Sequence, residues 1–325
     1  MEQNMIRERS TRLSSVTQKD WLQITPAHRD LVEEFLEVNT HLSKASRKQY
    51  FSALKQFFYW VDVALDGKHI SKISKRDFLR YMSYLNQHGM SSSALSFKKS
   101  VVSSLNNYIE AVVAEDEDQF KLFRNFTKGL PPIPKNYTYQ KILVTKEEYK
   151  HMMEQLEMQK HFLGMAWLAT AFNTGARRAE IVQFKTEMLE QDFAEKTYIL
   201  SNQVRGKGKA EQGKPLTFMV NKEAYNHMRH WVDCRNFKSD YIFSLSQDPL
   251  KPDWANNFCK NILSPMLNRR INPHIFRASA ITHLLESKVD IALVSKYIAH
   301  HEDISTTAIY DLRDFEEEKN EIFGV

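Results

Sequence analysis

The sequence predicts a mainly α-helical protein with a small antiparallel sheet, divided into two domains. Three observations carry this reading. Apolar residues recur at three- and four-residue spacing through most of the 325 residues. Strand-like runs are confined to the stretch 197–220. Gly129-Leu-Pro-Pro-Ile-Pro134 sets three prolines within four positions, which breaks any helix and marks an interdomain linker. The length suits two domains of ordinary size, each able to bury a core.

Taken in order, residues 1–30 form an N-terminal extension, a further helix or an arm. Residues 31–126 read as a helical domain. Within it, Tyr50, Leu54, Phe57, Phe58 and Val61 lie at helical spacing, with Ser43 or Ser46 as N-cap. A second helix opens at Ser74, where Asp77 completes a capping box, and stops at Gly89. A third follows Ser91 and carries Leu95, Val101, Val102, Leu105 and Tyr108. These aromatic stripes read as core packing. The linker occupies 127–139, and residues 140–325 form the second domain. There Thr145 caps a helix to about Met158, and a strongly apolar helix spans Phe162 to Phe172. Thr197–Leu200 and Pro215–Val220 read as strands flanking a glycine-rich basic turn, Val204 to Lys214, after which the pattern is helical again.

Composition narrows the function classes. No run of 18 apolar residues exists and the first 30 residues carry charges throughout, so neither a membrane span nor a secretory signal is expected. Two cysteines, Cys234 and Cys259, exclude a disulfide scaffold and a cysteine zinc site, and fit a reducing cytoplasm. The formal charge is +5, but the last fifteen residues hold six acids against two bases, which leaves +9 over the rest. Basic clusters recur at Lys44, Arg47, Lys48 and Lys55, at Lys72, Lys75, Arg76 and Arg80, at Lys98 and Lys99, and at Arg205, Lys207, Lys209 and Lys214. One such cluster is a solvated helix face; several together suggest a surface that follows phosphates.

Two motifs are decoys. Gly208 to Lys214 imitates a phosphate loop, but Pro215 stands where a Ser or Thr must bind magnesium, and a strand follows where a helix is needed. His227 and His230 have no third ligand at metal spacing and read as surface residues. Four other segments combine into something specific: Thr174-Gly-Ala-Arg-Arg-Ala-Glu180, Gly206-Lys-Gly208, His274-Ile-Phe-Arg277, and His301-Glu-Asp-Ile-Ser-Thr-Thr-Ala-Ile-Tyr310. In the first, Arg177 projects from a helix start and Glu180, one turn on, is placed to hold it by an ion pair. In the third, an imidazole and a guanidinium share a helical face.

In this order the four segments resemble the tyrosine recombinases, the lambda-integrase family of site-specific recombinases. The resemblance covers nearly everything after residue 30, with 31–126 similar to the family's core-binding, SAM-like domain. It implies a two-domain DNA clamp with a mixed α+β catalytic domain at 140–325. By the same resemblance Tyr310 is the nucleophile, Arg177 and Arg277 clamp the scissile phosphate, and His274 assists proton transfer. His301 sits beside the leaving group and Lys207 protonates the departing 5′ oxygen, with Lys209 the alternative lysine. Register counted back from Tyr310 selects His301, with His300, at the family's usual glycine, the alternative if the backbone shifts by one. Ala278 replaces an accessory histidine the family often has.

The implied reaction is metal- and ATP-independent, with no cofactor, and proceeds through a 3′-phosphotyrosine and a Holliday junction. The implied partners are double-stranded DNA recombination sites, four protomers on two sites, and accessory DNA-bending or directionality proteins. The expected location is the cytoplasm, on the nucleoid when DNA-bound. Lys44, Arg47, Lys98, Lys99 and Lys209 are candidate DNA contacts. An integrase of a phage or mobile element is the first expectation. A chromosome-dimer or inversion recombinase, a relaxing enzyme with the same chemistry, and a catalytically silent DNA-binding relative remain open beside it.

Overall fold

The structure is a computed structural model that describes residues 13–134, 143–206 and 213–311. It divides into two compact units, residues 1–139 and 140–325.

The first unit is helical. In chain order it contains α1 (Gln18–Gln23), α2 (Pro26–Val38), α3 (Lys44–Leu65), α4 (Lys75–Gln87) and α5 (Ser92–Tyr108). A π-helical turn at Ile109–Val113 and the single turn α6 (Ala114–Asp116) follow. Side-chain caps set the starts. Ser43 accepts the Ser46 amide at 3.1 Å, so Ser43 and not Ser46 opens α3. Ser74 and Asp77 form the capping box of α4, and Ser91 caps α5. The core gathers Phe57, Phe58, Phe78, Tyr81, Val101 and Leu105, all fully buried, and each large side chain so placed contributes roughly 1.5–3 kcal/mol. Trp21 and Ile24 are buried in the same core, so α1 is built into this unit. Within it His28 stacks on Phe58 with ring centroids 4.5 Å apart and accepts the Ile70 amide on Nε2 at 3.1 Å.

The second unit opens with α7 (Lys146–Met158), started by a Thr145–Glu148 capping box, and α8 (Phe162–Thr174). Almost every residue of α8 is buried, as expected of a helix that is apolar all round, and it packs against α10 and α13, defined below. The short α9 (Arg178–Ile181) precedes four three-residue strands, β1 (Tyr198–Leu200), β2 (Val204–Gly206), β3 (Lys214–Leu216) and β4 (Met219–Asn221). They pair antiparallel as β1 with β4 and β2 with β3. The sequence run 215–220 reads as one strand, but the structure breaks it at Thr217–Phe218. There Ser201 intervenes: its Oγ accepts the Phe218 amide at 2.9 Å while its own amide donates to the Phe218 carbonyl, a local side-chain bond in place of ladder continuity.

Helices complete the unit: α10 (Lys222–Cys234), α11 (Asp253–Phe258), a π-helical turn at Cys259–Leu263, α12 (Ser264–Met266) and α13 (Pro273–Glu286). Then α14 (Ile291–Leu293) passes into a second π-helical stretch, Val294–Ala299, and α15 (Ile304–Ala308) follows. Among the described residues no helix is long and apolar enough to cross a membrane.

Candidate active site

The site is assembled in the second unit where α8 ends, α13 begins and the turn after Ala299 leads into α15. Gly175 terminates α8 with φ +65°, a left-handed conformation that a Cβ makes costly, and a Cβ there would lie 3.3 Å from Ile298. This sharp exit puts Arg177 at the N-cap of α9. Its amide and its Nη1 both donate to Glu180, at 2.7 and 2.8 Å, and the Glu180 carboxylate is almost fully buried. The ion pair read from the sequence is therefore present, and it fixes the guanidinium while leaving it about one-third exposed.

Arg277 lies on α13 and is almost completely buried. Its guanidinium donates from Nη1 to the Gly175 carbonyl at 2.7 Å and from Nη2 to the Ala299 carbonyl and to His301 Nε2 at 3.1 Å, and it also interacts with the Tyr310 side chain. Burial lowers its affinity for protons to about 10, and the Arg177 charge pushes the same way.

The tautomer of His301 follows from its partners. A guanidinium only donates, so Nε2 must accept, and the ring proton sits on Nδ1. That Nδ1–H then donates to the Thr307 hydroxyl at 2.8 Å. The imidazole is held neutral, pushed down to about 4 by burial, then by Arg277 and Arg177. Its ring stacks on Tyr310, centroids 5.8 Å apart at 19°. The Tyr310 hydroxyl lies 3.1 Å from His274 Nε2, and His274 is exposed at the start of α13, where Asn272 caps the helix and Pro273 is its first residue.

His300 takes no part in these contacts. It adopts φ +49°, the left-handed region glycine favours, and its ring packs edge-on against Phe218 at 4.7 Å, with Nε2 buried and unpartnered. That backbone kink turns the chain so that His301 meets Arg277.

Five sequence-predicted residues, Arg177, His274, Arg277, His301 and Tyr310, are thus gathered from three separated segments. Lys207 and Lys209 lie outside the described residues. The strands that lead to them are described: a Cβ at Gly206 would meet the Lys214 carbonyl at 3.0 Å, so the base of that hairpin admits only glycine without adjustment. Lys44 and Arg47 lie in the first turn of α3, and Lys98 and Lys99 on α5, all in the first unit. Lys98 is half-buried, which lowers its ammonium to about 8. Lys99 borders an open groove of about 370 Å³ with Ser96, Ser100, Ser103 and Ile133.

Sequence reasoning missed Thr307, fully buried and the sole described partner of His301 Nδ1, although it lies within the quoted segment between His301 and Tyr310. It also missed the two main-chain carbonyls that hold Arg277, which no side-chain pattern encodes.

Comparison with known proteins decides the family. Residues 143–317 match the family model described as "Phage integrase family", and residues 29–113 match "Phage integrase, N-terminal SAM-like domain". The SPbeta prophage-derived recombinase-like protein YomM of Bacillus subtilis strain 168 is 54% identical over 99% of this chain and 98% of its own length. The chain belongs to the phage integrase family. It is a tyrosine-type site-specific recombinase. A tyrosine recombinase of Pseudothermotoga lettingae is 24% identical over 86% of this chain and 92% of that protein. The Tn1549 transposon integrase, solved with transposon right end DNA, has the same fold: TM-score 0.67, 15% identity, 90% of this chain and 98% of that one. So does XerH bound to a palindromic difH substrate, with TM-score 0.66, 15% identity, and 96% and 90% coverage.

Proposed function

We propose that this recombinase cuts and rejoins double-stranded DNA through a covalent 3′-phosphotyrosine at Tyr310, and that it does so for a prophage or related mobile element. The observation that carries the reading is the convergence at Tyr310: its hydroxyl lies 3.1 Å from His274 Nε2 and its ring stacks on His301, which is bonded to Arg277. A DNA-binding relative without chemistry has no need of a phenol there. The 54% identity to a prophage-derived recombinase-like protein supports the mobile-element role.

In the proposed step, the Tyr310 oxygen attacks the scissile phosphorus and its proton passes to His274 Nε2. The P–O5′ bond breaks, and the departing 5′ oxygen takes a proton from the hairpin lysine, Lys207, with Lys209 the alternative. Arg177 and Arg277 stabilise the charge that builds on the non-bridging oxygens, and guanidinium forks suit those oxygens geometrically. His301, neutral and already oriented by Thr307, stands beside them. The phosphotyrosine conserves the energy of the broken bond, so a 5′ hydroxyl from a partner strand reverses the step. Exchange between two sites then passes through a Holliday junction with four protomers assembled.

The test is a nicked duplex that traps the covalent product, incubated with wild type and Tyr310→Phe and resolved on a denaturing gel. The proposal expects an adduct with wild type and none with the variant. An adduct that survives Tyr310→Phe moves the nucleophile elsewhere. Specific DNA binding without any adduct from wild type would support the silent-relative reading instead.

A further inference from the structure

Tyr310 is held at both ends by one helix. Its hydroxyl meets His274, and its carbonyl accepts the Thr282 hydroxyl at 2.7 Å. Both partners belong to α13, eight residues apart, or about 12 Å along the axis at 1.5 Å per residue. Thr282 is fully buried.

Its hydrogen bond differs from those of the other hydroxyls on α8 and α13. These bond back to the carbonyl four residues earlier: Thr170 to Ala166 at 2.8 Å, Thr174 to Thr170 at 2.7 Å, and Ser279 to Ile275 at 3.0 Å. Back-bonding of this kind is the common choice for a helical threonine. Thr282 instead reaches out of its helix to the carbonyl of Tyr310, two residues beyond the end of α15. Since α13 also carries Arg277 and His274, the bond ties the backbone of Tyr310 to the same rigid element as two groups that face its side chain.

We propose that Thr282 is a positioning residue for the nucleophile. It touches no reacting atom; it fixes the Tyr310 main chain so that the phenol stays within reach of His274 and of a phosphate on Arg177 and Arg277. The inference rests on the reading of Tyr310 as the nucleophile. A displacement of about 1 Å at a reacting atom lowers rate by roughly a hundredfold, so a single misplaced carbonyl is enough to register.

The test uses the full chain and duplex DNA selected from a random-sequence pool by binding to the Tyr310→Phe protein, then nicked to trap adduct. Thr282→Val keeps the shape and removes the hydroxyl; Thr282→Ser keeps the hydroxyl. The valine variant should form adduct at least tenfold more slowly in single turnover, with affinity for intact duplex within twofold of wild type. The serine variant should restore the rate. Amide exchange in residues 304–311 should rise in the valine variant and return to the wild-type level in the serine variant. If the valine chain does not fold, Thr282→Ala takes its place.

Wild-type adduct rates in the valine variant overturn the inference, as does a serine variant as slow as valine, which would make the methyl packing the cause. A parallel fall in affinity and rate would assign Thr282 to general stability and overturn it as well. If wild type itself forms no adduct, the nucleophile reading falls and takes the inference with it, and the exchange data show separately whether the Thr282 bond exists.

Discussion

Replacing Glu180 by Gln removes a charge from the site and leaves its shape almost unchanged. The buried carboxylate accepts the Arg177 amide at 2.7 Å and the Arg177 guanidinium at 2.8 Å. A carboxamide has one accepting oxygen, so it keeps one of these bonds and turns its NH₂ toward the other donor. Loss of a charge-assisted bond costs roughly 1.5–3 kcal/mol, and the opposed donors add about 1 kcal/mol. The Arg177 side chain is 34% exposed, so water recovers part of that loss and the net cost is about 2–3 kcal/mol. Global denaturation of a two-unit chain mixes transitions, so local amide exchange is the better readout. In peptides spanning 163–182, exchange should accelerate by roughly 30- to 150-fold, at about 1.4 kcal/mol per tenfold, while peptides from α3 and α4 stay unchanged. An acceleration below threefold would refute the argument that Glu180 holds Arg177 in place.

Three further outcomes are expected. His28 accepts the Ile70 amide and is pushed down to about 4 by burial and by His69. The unfolded chain therefore binds more protons between pH 6.5 and 4, and the first unit loses up to about 3 kcal/mol as pH falls through that window. Thermal melts at pH 7 and 4.5 check this, and a slope that His28→Gln leaves unchanged counts against it. Gly175→Ala forces a Cβ into φ +65° and should cost about 1–2 kcal/mol, slowing adduct formation as well because the Gly175 carbonyl holds Arg277; an unaltered melt and rate would contradict it. Replacing Lys44, Arg47 and Lys99 together by alanine should weaken binding to all duplex sequences and lower the salt slope by about 3, with an unchanged slope excluding these residues from phosphate contact.

What was legible in the sequence was what side chains announce. Ser74 with Asp77, and Thr145 with Glu148, declare helix starts because their side chains replace missing backbone partners. The Arg177–Glu180 pair was legible for the same reason, a fixed spacing on one turn. The break between β3 and β4 was not, because Ser201 produces it from another strand's end. Nor were the π-helical stretches at 259–263 and 294–299, whose extra residue leaves the apolar pattern intact. Arg277 illustrates both halves. Its presence in the site followed from His-x-x-Arg, yet its near-complete burial follows from the Gly175 and Ala299 carbonyls, which every residue carries and no sequence displays.

That last grip bears on how the site tolerates mutation. Two of the acceptors on Arg277 are main-chain oxygens, and point substitution at 175 or 299 changes a side chain without deleting a carbonyl. The anchor is therefore lost only through changes that move backbone. A saturation scan should show tolerance at Ala299 limited by volume, and at Gly175 by conformation and by the space beside Ile298, with chemical character counting for little at either. By contrast His301 and Thr307, which hold one another through side chains, should accept few replacements. Among variants of this chain, the guanidinium's main-chain seat should therefore survive any side-chain change at 175 or 299 that leaves the backbone in place.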